Sequence, residues 1–265
     1  MEKFLQMTAW RMAVPRLYGC FHIFTAVLGI VFAAGAAIIC AKVYTKIYRK
    51  SNAGDSSFSY RLYMIIGLVL LFSEGYKQLF NFYVMNDRRY DWHLLPLQLC
   101  SLPMYFCLII PWLRSKGIKT ALNTFMADFN LMGAVMVFAD PSGIFSKYAV
   151  LTVHGILWHL LVIFIGLFAG LTNLADTASL KSFLKTLPVF FISSGLAIAV
   201  NIVLHPYGGA NMFYIDPYTP SVQLVFRDIA AAFGIAAGNT AYFLAMIFGG
   251  FLCHFLFWFF HGRKR

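Results

Sequence analysis

The sequence predicts an all-α, polytopic membrane protein with seven transmembrane helices, and three observations carry that reading. Apolar runs of about 20 residues recur along the whole chain, the length a helix needs to cross ~30 Å of hydrocarbon. Of the 265 residues, 60% are hydrophobic and only 12% charged, whereas soluble domains carry about a quarter charged residues. The 28 Phe, 14 Tyr and 5 Trp also exclude a disordered chain, which could not keep so many rings hydrated.

The elements follow in order, as one integral membrane domain over residues 1–265. Residues 1–20 read as an interfacial segment; Arg11, Pro15 and Arg16 interrupt it, so no cleavable signal is expected. The first span is read at 21–41, closed by Lys42, Lys46, Arg49 and Lys50, with a Ser/Asn/Gly-rich loop from Ser51 to Ser59 behind it. The second span, 62–82, ends at Asn86, Asp87, Arg88 and Arg89. The third is read at 94–113, and the fourth, 118–138, stops at the turn Asp140-Pro141-Ser142-Gly143. The fifth runs over 149–171 and the sixth over 183–204, before a loop rich in Pro, Gly and Tyr. The apolar stretch from Val225 to Phe260 exceeds one upright span. It reads as a short interfacial or tilted piece and a seventh span over 238–260.

Charge sets the expected orientation. The formal net charge is +11, but the basic residues lie between apolar runs, without the aromatic-interleaved stripe of a single-strand binder, so no nucleic-acid partner is expected. Alternating spans place seven basic residues on the side of the N-terminus: Lys3, Arg11, Arg16, Arg88, Arg89, Lys147 and Arg227. The opposite side carries thirteen, including Arg263, Lys264 and Arg265. The positive-inside rule therefore puts the N-terminus outside and the C-terminus in the cytoplasm. The five cysteines form no CxxC and no zinc-ligand spacing, so no disulfide framework, metal or cofactor is expected.

Ionisable groups inside spans are costly and point to function. Glu74, Lys77, Gln78 and Asn81, at i, i+3, i+4 and i+7, form one polar stripe on the second span; Glu74 and Lys77 can also simply neutralise each other. Gln98 and Cys100 lie in the third span, Asp128 and Asn130 in the fourth, His154 and His159 in the fifth, and Asn201 and His205 at the end of the sixth. Their similar depths predict one cavity opening to the outer leaflet. His159 lies far around the helix from His154 and reads as a packed side chain. Cys100 stands out: Pro96 is expected in the first turn of its helix, and Pro103 cannot donate to the Leu99 carbonyl, which is expected to be free beside the thiol. A thiol at a helix start is favoured as thiolate. Nucleophilic catalysis further needs a base and a group that orients the base; His154 suits the first, and Asn201 or Glu74 the second.

The segment His93-Leu94-Leu95-Pro96-Leu97-Gln98-Leu99-Cys100 resembles the signature of the YwaF family of integral membrane proteins, which includes the proteins related to transmembrane protein 164. The His154-Gly155 pair and the loop Asn211-Met212-Phe213…Pro217 after Asn201 are similar to it as well. The resemblance implies a lipid acyltransferase or acyl-ester hydrolase with Cys100 as nucleophile and His154 as its histidine; Gln98 stands where the family often has His. On that reading Asn201, Asn211 or backbone N–H groups hold an oxyanion. The expected partner is then a phospholipid or lysophospholipid of the cell membrane. A second reading is a binding or transport protein for a small polar solute, using Glu74, Lys77 and Asp128 without covalent chemistry.

Overall fold

The computed structural model describes residues 1–50 and 57–262. Most of the predicted Ser/Asn/Gly-rich loop, and the basic residues Arg263, Lys264 and Arg265, lie outside the described residues. Among the described residues the chain is helical: α1 (Glu2–Met7), α2 (Cys20–Lys50), α3 (Ser57–Phe80), α4 (Leu102–Ile109), α5 (Lys116–Phe125), α6 (Leu131–Val137), α7 (Ala149–Leu171), α8 (Leu187–Leu204), α9 (Phe226–Phe233) and α10 (Ile235–Gly262). A single antiparallel bridge joins Arg11 to Tyr148.

Five helical stretches are long and apolar enough to cross a membrane: Cys20–Ile47, Ser57–Met85, Ala149–Leu171, Leu180–Tyr207 and Ile235–Phe260. The first two outrun their predicted ends, 21–41 and 62–82. Two predicted spans take other forms. The third does not begin at Leu94: Pro96 disfavours helical backbone at Leu95, whose φ/ψ is −52°/128°. Helix starts only with the 3-10 turn Leu99–Ser101, so Pro96 precedes the helix rather than sitting in its first turn. The apolar stretch Leu99–Trp112 is about 21 Å long at 1.5 Å per residue. In the fourth, α5 and α6 are joined through a π-helical segment, Met126–Asn130, one inserted turn of the kind that sits at functional or strained positions. The last apolar stretch breaks at Gly234, whose φ of 92° separates α9 from α10.

Packing is built on α7, which lies against α2, α6 and the π segment. Gly166 permits the closest approach: a Cβ there would stand 2.8 Å from the Met126 carbonyl oxygen. Beside it Phe129 stacks on Phe125 and Phe190, with ring centroids 4.9 and 4.7 Å apart. At one end of the bundle the start of α2 meets the end of α6 through His22. Its Nδ1 accepts from the Tyr18 N–H at 3.0 Å, so Nε2–H donates to the Phe138 carbonyl at 2.9 Å. At the same end Phe80 and Tyr148 bring α3 and α7 together, 5.2 Å between rings. α1 lies against this end: Leu5 is buried with Phe80 and Tyr148, and Arg88 binds Glu2 at 2.7 Å.

Candidate active site

The site is assembled from α3, the turn opening α4, and α7. On α3, Lys77 Nζ lies 2.7 Å from Glu74 Oε1. Gln78 Nε2 donates to Glu74 at 2.6 Å and to the Leu94 carbonyl at 2.5 Å, tying α3 to the segment that leads into Cys100. Asn81 turns back to its own helix, donating to the Lys77 carbonyl at 2.8 Å. The polar stripe is thus largely self-satisfied.

Cys100 sits in the 3-10 turn Leu99–Ser101, held from two sides. Asn130 Nδ2 donates to the Leu99 carbonyl at 2.7 Å. The oxygen expected to be free beside the thiol is therefore capped, because a carbonyl orphaned by Pro103 in a buried place needs a donor. Trp158 Nε1 donates to the Cys100 carbonyl at 3.0 Å.

His154 enters from α7. Its Nδ1 is 2.7 Å from Ser73 Oγ, and its ring lies 5.5 Å from that of Trp158. Trp158 therefore links the two predicted partners, touching the His154 ring and binding the Cys100 backbone. No hydrogen bond joins Cys100 to His154 among the described residues. The group that orients the imidazole is Ser73, rather than Asn201 or Glu74. In the tautomer whose Nδ1–H donates to Ser73, Nε2 carries the lone pair a base requires. His159 is engaged within α7, its Nδ1–H donating to the Gly155 carbonyl at 2.7 Å.

Asn201, Gln98 and Asn211 do different work from that expected. The fully buried Asn201 accepts from the Met212 N–H at 2.6 Å and donates to the Met212 carbonyl at 3.1 Å. Gln98 accepts from the Phe213 N–H at 2.8 Å and donates to the Asn211 carbonyl at 3.1 Å. Together they clamp a loop with left-handed backbone at Asn211, Phe213 and Tyr214 (φ 46°, 56° and 56°). Irregular backbone buried among apolar helices must find donors and acceptors inside the protein. Asn201 thereby gives its Oδ1 and one Nδ2 proton to the loop. Asn211 Oδ1 accepts from the Asp216 N–H at 3.3 Å. Within this loop, burial and then the charge of a Cys100 thiolate push the Tyr214 phenol up to about 12, so it remains protonated and able to donate. His205 is exposed and stacks on Tyr218, 4.0 Å between rings, away from these contacts.

Asp128 belongs to a separate network, so the expected single cavity divides. Fully buried, it binds His254 Nδ1 at 2.8 Å. His254 Nε2 donates to the Ser179 carbonyl at 3.0 Å and lies 3.3 Å from Ser182 Oγ. The Ser182–His254–Asp128 row resembles a triad, but Nε2 must carry a proton to bind a carbonyl and so has no lone pair to offer the serine. Among the described residues no three His, Cys, Asp or Glu side chains converge to hold a metal ion. Two adjoining cavities of about 340 Å³ each lie elsewhere: one against Arg89, Asp91 and Trp92, the other between Trp92, Leu95 and α8. None of Glu74, Lys77, Cys100 and His154 lines either.

Ser73, Trp158, Tyr214 and His254 were missed in the sequence. His254 is an ionisable group inside an apolar run and the rule that flagged Asp128 applies to it equally. Ser73 and Trp158 carry no signal of their own, since an uncharged Ser and a Trp are ordinary in such helices.

The TMEM164 family model matches residues 17–260. The chain belongs to this family. The match takes in all five long helices, both predicted partners Cys100 and His154, and the clamped loop. The resemblance carried by His93 to Cys100, by His154-Gly155 and by the loop after Asn201 pointed to the same group of proteins. No curated protein and no solved structure matches the chain.

Proposed function

We propose that this TMEM164-family protein is a cysteine-dependent acyltransferase or acyl-ester hydrolase of membrane phospholipids. The observation that carries the reading is the Trp158 link: one indole holds the Cys100 backbone and packs on a His154 ring that Ser73 orients. A nucleophile and base not yet in hydrogen-bond contact are common before substrate binds.

The step runs as follows. His154 Nε2 takes the Cys100 proton, and the sulfur attacks the ester carbonyl carbon of a phospholipid. The tetrahedral oxyanion is held by donors near the thiol: the Tyr214 phenol, the Lys77 ammonium or backbone N–H groups opening the Leu99–Ser101 turn. The C–O bond then breaks, the imidazolium returns its proton to the departing lysophospholipid hydroxyl, and a thioester remains on Cys100. In the second half a lysophospholipid hydroxyl, or water, attacks the thioester, with His154 accepting its proton and returning it to the sulfur.

In this reading all seven helical passes cross the cell membrane, with the N-terminus outside and the C-terminus cytoplasmic. The alternation of the passes is supported by the meeting of the start of α2 with the end of α6, and of the end of α3 with the start of α7, at one end; the orientation rests on the distribution of basic residues. Cys100 then faces the outer leaflet, where both acyl donor and acceptor reside.

The test is acylation of purified protein with an alkyne-tagged phospholipid, followed by click detection. Wild type is expected to carry a hydroxylamine-sensitive label and Cys100→Ala none. Ser73→Ala, which leaves the imidazole unoriented, should slow labelling by about a hundredfold, at the low end of what a positioned base contributes. Equal labelling of Cys100→Ala and wild type removes the mechanism.

A further inference from the structure

The two adjoining cavities share Trp92 and differ in character on either side of it. One side is polar, bounded by Arg89, Tyr90 and Asp91 and by the chain reversal at Gly208 and Gly209. The other is wholly apolar, bounded by Leu95 and by Ala199, Val200, Val203 and Leu204 of α8. Those four α8 positions fall on one helix face. The cleft is therefore amphipathic, with its polar part at the end of α8 and its apolar part running back along that helix.

The charged groups of the polar part have unused capacity. Arg88 is tied to Glu2 at 2.7 Å, whereas its neighbour Arg89 has no carboxylate partner among the described residues. Asp91 binds the His93 N–H and ring through Oδ1 alone, at 3.0 and 3.2 Å, so Oδ2 faces no donor among the described residues. Tyr90 and Trp92 meet edge to face with centroids 4.9 Å apart, a wall suited to a cation. A Cβ at Gly208 or Gly209 would meet nothing within 4 Å, so the missing side chains leave volume open there.

We infer that this cleft is a binding site for a zwitterionic glycerophospholipid. The phosphate sits on Arg89, the ammonium between Asp91 and the Tyr90 and Trp92 rings, and one acyl chain lies along Ala199 to Leu204. Charge complementarity selects the occupant: one free cation and one half-free anion side by side match a headgroup carrying both signs, and the Asp91 carboxylate disfavours a purely anionic lipid. The apolar side needs an alkyl chain, which a soluble zwitterion lacks. The site deepens the proposed reaction by naming where its lipid docks, and its role as substrate site rests on that reading; binding itself does not.

The experiment is native mass spectrometry of the full chain, delipidated in detergent and offered phosphatidylethanolamine and phosphatidylglycerol with identical acyl chains. Wild type is expected to retain phosphatidylethanolamine preferentially. Arg89→Gln and Val203→Trp, which fills the apolar side, should each lower retention of it about tenfold. Asp91→Asn should abolish the preference between the two lipids. Equal retention of both lipids by wild type, or unchanged retention by Arg89→Gln and Val203→Trp together, overturns the assignment. If wild type binds phosphatidylethanolamine selectively yet never acquires a thioester, the acyl-transfer reading fails while the lipid site stands.

Discussion

Replacing Asn201 by Leu separates a structural from a catalytic role for that amide. Leu keeps the heavy-atom outline of the side chain and removes both polar atoms. The Met212 N–H and carbonyl, now bonded at 2.6 and 3.1 Å, would lose their partners in a place where Asn201 and Met212 are fully buried. Leaving a buried donor or acceptor unmatched costs about 1–3 kcal/mol, so the pair amounts to about 2–6 kcal/mol. The loop also loses half of the clamp that holds Asn211, Phe213 and Tyr214 at positive φ, where a non-glycine residue costs about 1–3 kcal/mol. The expected outcome is a lowered melting temperature in detergent and new chymotrypsin cleavage after Phe213, Tyr214 or Tyr218. An Asn201→Leu protein that melts as wild type does and resists chymotrypsin, while losing Cys100 acylation, would refute this and return Asn201 to the oxyanion.

Two further outcomes test the packing. His254→Leu leaves the buried Asp128 without its partner and should destabilise by about 3–5 kcal/mol, whereas the double variant Asp128→Leu/His254→Leu should recover much of that loss; thermal melting of the three proteins compares them. Gly166→Ala places a Cβ 2.8 Å from the Met126 carbonyl and 2.9 Å from Leu131 Cβ, so α7 must shift from the π segment. A loss of about 1–3 kcal/mol is expected, and unchanged melting would mean the contact is slack.

The helical class was legible because a run of 20 apolar residues has few structures open to it. The break between α9 and α10 was legible by length alone. The late start of the helix bearing Cys100 was less so. Pro96 is compatible both with a first helical turn and with an extended lead-in, and the choice falls to contacts that Gln78 and Gln98 make with other segments. For the site, composition picks out expensive polar groups but not their partners. Asn201 and Gln98 look like chemistry in the sequence because a polar amide in a span needs a reason. The reason lies in the loop that begins at Asn211, ten residues after Asn201 but 113 after Gln98, whose backbone bonds to both of them. Asp128 and His254 stand 126 positions apart, and no local periodicity joins them.

The brevity of Leu99–Trp112 has a consequence for the lipid around it. At about 21 Å it falls well short of ~30 Å of hydrocarbon, while its neighbours Ser57–Met85 and Ala149–Leu171 run to 29 and 23 residues. If Leu99–Trp112 is one of the passes, a bilayer meeting so stunted a wall would thin toward it, drawing the headgroup layer down into a dimple. Cys100, one residue from the top of that wall, would then stand near the waterline although it belongs to an apolar helix, within range of both an ester group and a water molecule.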